Sequence, residues 1–566
     1  MLVQFSFSQT DKQIQETVID LGNWFLDDSD NNDHDKAKQH HFYSKSDSNK
    51  TLKTSITISN DQVLLNRNGS AEIPLFYFMS PRTIFVSDSV YELQQHIKQP
   101  LDLDTAYPFL YSQFLPKEKT LFLGIIQVLN EQAITFALKG SVIECRVADS
   151  FSLPMNEFDS LSEKQLTIGL REQIARAHSD RLSENNAIFL SGGLDSQVMA
   201  ITLSKDLGLG QNLSSLHFSV KGARQSELVE AELTAQTLDI PFHAIEVDPQ
   251  KEIDFEKLLK MNAPYIGAVS IHQLLESSNL TEGTTIFAGQ DTRLHTPSIH
   301  SIDEKLLGLY SIFGFGSFIS TTAKVMLALK NITNNEFESR LYRQLSFFDG
   351  TNSVQKYLAN RFFHIANLPF QDKEKMEVLR SSIINELGDV KKSDKRALFN
   401  TLATLLWRRQ FIYDINYMHD TISANNNKIA MPFYDTELAY YSAQLPFDLA
   451  AKMTKGRAGH GQNEVSVNKY LLRKAYEGEL DDSLVFRDKA VCLTAHMFFN
   501  GGLQQELERF IDASWLAKHE IALSLHLPEL QTLSKRKHNN WLESDHWLMM
   551  TIFNALIIYN YLRVPS

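Results

Sequence analysis

Short runs of alternating hydrophobic and polar residues dominate the N-terminal part of the chain. Between residues 51 and 147 they read SITIS, QVLLN, PLFYF, TIFVS, QAITFAL and SVIECRV. Turn-forming pairs such as Asn68-Gly69 separate them. Runs of this length, rich in β-branched and aromatic residues and bounded by turn residues, predict strands. We therefore expect a β-rich first domain over residues 1–150.

Strand-like and helix-like segments alternate further along the chain. A mixed helical segment (163–179) leads to an apolar run, a helix beginning near Gln197 follows it, and SELVEAELTAQTL predicts another helix. Alternation of this kind predicts an α/β fold with a parallel, doubly wound sheet. The strand candidates are AIFL (187–190), SLHFSV (215–220), FHAIEV (242–247) and TTIFAG (284–289).

The C-terminal part of the chain has a mainly helical pattern from about residue 301 onward. It includes amphipathic stretches such as QKYLANRFFHIANL. The apolar stretch from Trp547 to Leu562 is interrupted by asparagines and tyrosines. This composition predicts a buried terminal helix rather than a membrane span.

Residues 28–50 are polar and low in complexity, and this composition predicts a mobile loop. The segment contains His34, His40 and His41. We interpret these histidines as solvated side chains, because no second cluster of metal ligands follows them.

Composition narrows the functional classes. A chain of 566 residues is expected to form roughly two to four domains. The formal net charge of −13 disfavours nucleic acid as a partner.

The only two cysteines, Cys145 and Cys492, form no CxxC pair, so neither a disulfide framework nor a zinc site is expected. Without a signal-peptide pattern or an apolar run near the roughly 18 residues of a membrane span, we expect a cytoplasmic protein.

The strongest chemical signal is a six-residue loop directly after AIFL and directly before a predicted helix. Two glycines allow the backbone to turn sharply and approach a ligand closely. The N-terminus of the following helix suits phosphate or pyrophosphate, and the serines add hydroxyl donors. Asp195 supplies a hard oxygen for Mg²⁺. The Gly-Lys-Ser/Thr ending of a Walker-type loop is absent. The loop residues are Ser191, Gly192, Gly193, Leu194, Asp195 and Ser196.

This SGGLDS loop resembles the pyrophosphate loop of the asparagine-synthetase and ATP-pyrophosphatase family. Three more segments resemble that family in the same order: HFSVKGARQSELVEAELTAQTLDIPFHAIEV, MPFYDTELAYYSAQLP and VNKYLLRKAYEGELDDSLVFRDKA. The resemblance covers about 185–500 and implies a synthetase domain over 165–566 that uses ATP and Mg²⁺. The matching residues outside the loop are Glu227, Ala231, Ala235, Pro432, Phe433, Asp435, Lys469, Leu472, Arg473, Arg487 and Lys489.

The first domain resembles the glutaminase (Ntn-type) domain of the same family. NRNGSAEIPLFYF and TIFVSDSVYEL resemble its later strands, with Ser87-Asp88 at the family's Ser-Asp pair. The family's nucleophile is a cysteine directly after the initiator methionine, but position 2 here is Leu2, and the family's Asn-Gly-Glu stretch is missing. Leucine cannot supply a thiol nucleophile. The resemblance therefore implies that residues 1–150 are a degenerate relic and that free glutamine is not the nitrogen donor.

The family's second acidic loop normally reads Ser-Gly-Glu-Gly-x-Asp-Glu, but residues 288–295 read AGQDTRLH. Gly289 is kept and is expected to border the nucleotide, and Gln290 is a candidate catalytic residue beside it. Asp291 is favoured over Arg293 at the Mg²⁺ position, because a hard cation prefers an oxygen ligand. The arginine could instead pair with pyrophosphate.

The resemblance also implies roles for two basic residues. The lysine of the family's "R-x-K" block, here Lys489, neutralises the transition state during amide formation, a form of electrostatic stabilisation. Arg487 is a candidate catalytic partner of phosphate. The glycine and phenylalanine that follow this lysine in the family are replaced by Ala490 and Val491. We therefore expect a different substrate fit.

Three kinds of relative make amides without a glutaminase: β-lactam synthetases, carbapenam synthetases and lasso-peptide cyclases. The sequence favours a lasso-type macrolactam cyclase, whose partners would be a precursor peptide and a maturation protease. A β-lactam-type ligase acting on a small-molecule carboxylate and an ammonia-dependent asparagine synthetase remain alternatives. A non-catalytic nucleotide-binding scaffold is the alternative of another class. A tRNA-thiolating pyrophosphatase is disfavoured, because it would need a cysteine pair and a basic surface.

Overall fold

A computed structural model gives the architecture of most of the chain. For the segments 14–20, 24–27, 40–44, 451–454 and 465–468 it describes the backbone only. The described residues are 1–7, 14–20, 24–27, 40–44, 54–59, 61–67, 72–112, 118–139, 141–149, 151–154, 156–158, 160–223, 227–261, 266–289, 372–387, 412–446, 451–454, 465–485 and 494–563, with isolated positions between them.

Two antiparallel sheets form the N-terminal sheet region (residues 1–149). Its strands are β1 (Leu2–Phe7), β2 (Ile14–Asp20), β3 (Trp24–Asp27), β4 (His40–Ser44), β5 (Thr54–Ile58), β6 (Gln62–Arg67), β7 (Phe76–Met79), β8 (Thr83–Ser87), β9 (Ile125–Gln127), β10 (Gln132–Lys139) and β11 (Val142–Asp149). One sheet has the order β2-β1-β8-β7-β9 and the other β11-β10-β6-β5-β4-β3. Side chains that alternate along the strands, such as Val3, Leu65 and Phe136, form one core between the sheets. The predicted β-rich first part is thus confirmed, while its glutaminase origin and its boundary at residue 150 stay predictions.

Two helices, α1 (Val90–Ile97) and α2 (Leu103–Ser112), follow β8. Ser89 caps the first, because its hydroxyl accepts the N–H of Glu92 at 3.3 Å. Their apolar side chains join a second, larger hydrophobic core that also contains C-terminal residues. The N-terminal sheet region is therefore packed onto the rest of the protein.

A five-stranded parallel sheet forms the centre of the remaining chain. Its strands are β12 (Asn186–Phe189), β13 (Leu213–Val220), β14 (Phe242–Val247), β15 (Thr285–Phe287) and β16 (Lys428–Ala430). The helices of this part are α3 (Glu163–Ser179), α4 (Leu194–Ile201), α5 (Leu228–Thr237), α6 (Phe255–Leu259) and α7 (Gly267–Ser277). The strand order is β14-β13-β12-β15-β16, and every neighbouring pair is parallel. The chain order therefore reverses between β12 and β15. Ligands of open α/β sheets bind at the carboxyl ends of the strands beside such a switch point.

The other described elements are mainly helices, as predicted, apart from one two-stranded hairpin. The elements are α8 (Lys373–Leu387), α9 (Ile412–Ser423), α10 (Thr436–Ala443), β17 (Ala451–Thr454), β18 (Val465–Asn468), α11 (Tyr470–Ala475), α12 (Asp482–Val485), α13 (Ala495–Phe499), α14 (Gln504–Asp512), α15 (Glu520–Ser524), α16 (Leu527–Lys537) and α17 (His546–Arg563). Within α17, Ile552, Phe553 and Ile557 are fully buried, which confirms the predicted terminal core helix. Among the described residues, no helix has the length and apolarity needed to cross a bilayer.

Two local predictions were wrong. Residues 40–44 form strand β4, which pairs with both β3 and β5, although the sequence predicted a mobile loop over 28–50. Pairing on both sides of β4 outweighs its polar composition. His34 lies outside the described residues. Helix α4 begins at Leu194 rather than near Gln197, so the second half of SGGLDS is already helical.

Candidate nucleotide site

Strand β12 delivers the SGGLDS loop to the carboxyl edge of the parallel sheet. The backbone N–H of Leu190 donates to the carbonyl oxygen of Leu216 on β13 at 2.9 Å. His217 Nδ1 donates to the carbonyl oxygen of Leu190 at 2.8 Å. Burial lowers the pKa of His217, which favours the neutral imidazole, and the carbonyl acceptor at Leu190 requires the proton on Nδ1. The residue just before the loop is thus held by a neighbouring strand.

Hydroxyl and backbone hydrogen bonds close the loop on itself. Ser196 Oγ donates to the carbonyl oxygen of Gly193 at 2.9 Å and accepts the backbone N–H of Ser191 at 3.2 Å. The hydroxyl oxygens of the two serines lie 3.1 Å apart. Ser191 Oγ also accepts the N–H of Gly193 at 3.3 Å. Both serines therefore define the shape of the loop, and the donor role toward phosphate that the sequence predicts for them stays a prediction.

Gly192 occupies a position where a side chain does not fit. Its φ of +74° lies in the left-handed region. A Cβ atom there would lie 2.8 Å from the carbonyl oxygen of Glu227 and 3.0 Å from Cβ of Glu230. The loop thus packs directly against the start of α5, and the glycine is required for this close approach.

The N-terminus of α4 suits an anion. Its N-cap is Gly193, which supplies no side chain to cap the first turn. Asp195 in that turn is partly exposed. The first N–H groups of a helix carry a partial positive charge and have no partner within the helix itself. A phosphate at this end would therefore meet backbone donors and a carboxylate able to share a Mg²⁺ ion.

A lysine from a distant part of the chain reaches the same helix end. Lys469 Nζ lies 2.5 Å from Asp195 Oδ1, and the side chains are 16% and 26% exposed. Lys469 has a left-handed backbone (φ 54°) at the start of α11. The ammonium group adds positive charge beside the loop, which favours a phosphate ligand.

Gly289 brings the end of β15 against the start of α4. A Cβ atom at Gly289 would lie 3.0 Å from Met199 Cε, 3.3 Å from the backbone N of Ser196 and 3.4 Å from the carbonyl carbon of Asp195. The structure thus places Gly289 beside the phosphate loop, where the sequence predicts it. Gln290, Asp291 and Arg293, which follow, lie outside the described residues.

The predicted catalytic residues Arg487 and Lys489 also lie outside the described residues, so their roles stay predictions. Within the described part of the chain, no cluster of three or more His, Cys, Asp or Glu side chains could hold a metal by itself. Mg²⁺ commonly binds through one or two carboxylates together with substrate phosphates. One carboxylate at Asp195 therefore fits a Mg²⁺ ion that arrives with ATP.

Sequence reasoning did not assign His217 or Lys469 to the site. His217 lies inside an apolar strand, where a histidine carries no local signal of its contact with Leu190. Lys469 stands in a segment that resembles the family, and this signal could have marked it as a candidate. Its position 274 residues from Asp195 gives no indication of their contact.

Together, the parallel sheet, its switch point and the glycine-rich loop define a nucleotide-binding α/β domain. A family model for asparagine synthase matches residues 169–557, which is more than half of the chain, and the chain belongs to this family. Its members are ATP-dependent, AMP-forming amide ligases that generally use Mg²⁺. No curated protein matches the chain.

Proposed function

We propose that this chain is a glutamine-independent amide ligase that closes a macrolactam in a peptide. In this proposal, a carboxylate of the peptide is activated with ATP, and an amine of the same peptide attacks it. The observation that carries the glutamine independence is the absence of a usable thiol in the N-terminal sheet region.

Positions 2 and 145 decide whether the N-terminal sheet region has a reactive thiol. Leu2 begins β1 and is 6% exposed, and the sequence has no cysteine before Cys145. Burial raises the pKa of the Cys145 thiol, although a hydrogen bond with Tyr77 opposes this shift. A thiol with a raised pKa is a poor nucleophile, because the thiolate is the reactive form. The attacking amine must then come from another source, and a peptide with a free N-terminus supplies one.

The residues near the N-terminus support the interpretation of this region as a relic of a glutaminase. Ser87 Oγ donates to the carbonyl oxygen of Met1 at 2.5 Å. The amino group of Met1 donates to Asp88 Oδ1 at 2.7 Å. The Ser87-Asp88 pair, which resembles the family's Ser-Asp, thus holds the start of β1. These contacts around the start of β1, together with a leucine in place of a nucleophilic side chain, support the relic interpretation.

The proposed reaction has two steps. A carboxylate oxygen of the peptide attacks the α-phosphorus of ATP, the bond to the β-phosphate breaks, and acyl-adenylate and pyrophosphate result. The amine nitrogen then attacks the acyl carbon, loses a proton, and AMP leaves. The α4 N-terminus and the loop that Ser191 and Ser196 shape would hold the pyrophosphate, and Asp195 would bind Mg²⁺ beside it. Lys489 would stabilise the negative charge that develops on the acyl oxygen in the second step.

The test first searches the genes beside this one for a short precursor peptide, and then combines that peptide with the purified protein. We expect AMP, pyrophosphate and a peptide lighter by one water, with no dependence on glutamine. ATP–pyrophosphate exchange with the peptide would show that adenylation precedes amide formation. Exchange with a small carboxylic acid but not with the peptide would replace the macrolactam proposal by a β-lactam-type ligase. No exchange with any carboxylate would contradict catalysis and leave a nucleotide-binding scaffold.

A further inference from the structure

A carboxylate of the N-terminal sheet region lies at the carboxyl edge of the parallel sheet. Glu72, between β6 and β7, is 8% exposed. Its Oε1 accepts Arg181 Nε at 2.5 Å and the backbone N–H of Met431 at 3.2 Å. Met431 directly follows strand β16. One side chain of the N-terminal region thus contacts both the end of a sheet strand and the segment after α3.

The end of β16 is connected to the phosphate loop through one further strand. The backbone N–H of Ala288, at the end of β15, donates to the carbonyl oxygen of Ala430 at 2.9 Å. The next residue, Gly289, packs against the backbone of Asp195 and Ser196. A displacement of Met431 would therefore shift the end of β16 and, through it, the end of β15 that borders the start of α4.

Arg181 extends the contact to the segment after β16. Its side chain is 4% exposed, and its Nη1 lies 3.4 Å from Oδ2 of Asp435, which is 2% exposed. Asp435 also pairs with Arg176 and accepts the N–H of Leu438 at 3.0 Å, which caps α10. Burial alone would raise the pKa of Asp435, but Arg181 and Arg176 outweigh it and lower the pKa.

The negative charge of Glu72 compensates the buried positive charges of the neighbouring arginines. Burial disfavours the charged guanidinium of Arg181, but Glu72 and Asp435 outweigh it and raise the pKa of Arg181. Arg67, which is also buried, interacts electrostatically with Glu72. Removing the charge of Glu72 would leave two buried guanidinium groups with less compensation, and a buried charge without a partner is strongly unfavourable.

We propose that Glu72 is a positioning residue of the nucleotide site, so that the N-terminal sheet region is a working part of the synthetase. It holds Met431 and Arg181, and through them the end of β16 and the adjoining end of β15, which lies beside the phosphate loop. This inference concerns the nucleotide site and does not depend on which acyl substrate is used.

The experiment compares Glu72→Gln with Gln127→Met in the full-length chain. Gln127 and Asn416 form two buried side-chain hydrogen bonds of 3.1 Å across the same boundary. Gln127→Met therefore weakens the boundary without touching Glu72. The neutral amide of Glu72→Gln is a weaker acceptor than a carboxylate for both donors. Two quantities are measured well below the unfolding temperature of each variant. The first is amide hydrogen exchange in residues 284–289 and 428–438, and the second is the Kd for Mg²⁺–ATP.

We expect faster exchange in both segments and a Kd raised roughly threefold to thirtyfold in Glu72→Gln, with neither change in Gln127→Met. Glu72→Asp keeps the charge on a shorter side chain and should fall between Glu72→Gln and the unchanged chain. Equal effects of Glu72→Gln and Gln127→Met, or none in either, would overturn the proposal.

If Glu72→Gln does not fold, Arg181→Lys replaces it, since lysine keeps the charge but loses the guanidinium geometry. Hydrogen exchange is independent of turnover, so it tests the positioning role even if no amide product is found.

Discussion

Lys469 and Asp195 form an ion pair of 2.5 Å at the N-terminus of the helix that follows the glycine-rich loop. The carboxylate that we assign to Mg²⁺ thus already has a cation of the protein beside it. Because Asp195 lies in the first turn of this helix, we expect the lysine to contact an anion held there. The pair links the phosphate loop to a segment 274 residues further along the chain, and its two members can be tested separately.

Replacing Lys469 by methionine should weaken the binding of Mg²⁺–ATP about tenfold, because a charge-assisted contact to phosphate contributes roughly 1.5 kcal/mol. Isothermal titration with a non-hydrolysable ATP analogue measures this change. Lys474→Met is the matched control, because Lys474 lies on the same short helix and pairs with Glu477 at the surface. Equal affinity of both variants would show that Lys469 does not contact the nucleotide.

Asp195→Asn should leave the fold intact and lower ATP–pyrophosphate exchange at physiological Mg²⁺. An amide oxygen is a weaker ligand for Mg²⁺ than a carboxylate oxygen, so raising the Mg²⁺ concentration should restore part of the rate. Asp206→Asn is the control variant. It also removes one carboxylate, but this carboxylate lies after α4 in the sequence and pairs with Arg171. Full activity of Asp195→Asn would rule out the assignment of this residue to the metal.

Gly192→Ala should reduce nucleotide binding and lower the melting temperature. The added Cβ would meet a carbonyl oxygen at 2.8 Å in addition to the strain of a φ of +74°. Gly208→Ala is a matched control, because Gly208 has a φ of +72° and nothing within 4 Å of the added Cβ. We expect the control to show only the cost of the left-handed backbone, about 1 kcal/mol. Similar binding by both variants would contradict a tight loop at Gly192.

Lys489→Met should bind ATP with near-normal affinity while amide formation falls by roughly two to three orders of magnitude, the usual effect of removing one charge-stabilising group. Adenylation and amide formation are followed separately, by pyrophosphate exchange and by product mass. Loss of ATP binding would assign the lysine to the nucleotide instead. If neither measurement changes, Lys489 is a solvated surface residue.

Local pattern was sufficient to predict many of the strands and the glycine-rich loop between β12 and α4, but not the strands before residue 51 or strand β16. The apolar runs after residue 185 became the parallel sheet with bounds close to those expected, because buried strands have a distinctive composition. The segment around His40 was mispredicted, because its polar residues are stabilised by strands on both sides. The buried contacts of Arg181 with Glu72 and Asp435 could not be predicted. They join positions 109 and 254 residues apart, and no local pattern encodes such distances.

The burial of α17 has a consequence for the order in which the protein folds during synthesis. Asn554 in this helix donates a hydrogen bond to the carbonyl oxygen of Phe109 in α2, across 445 residues of sequence. At typical translation speeds of about 5–20 residues per second, the ribosome needs roughly 20 to 90 s to make the intervening chain. During that time the apolar face of α2 lacks its final cover. We therefore expect the nascent chain to expose this apolar face until translation is nearly complete.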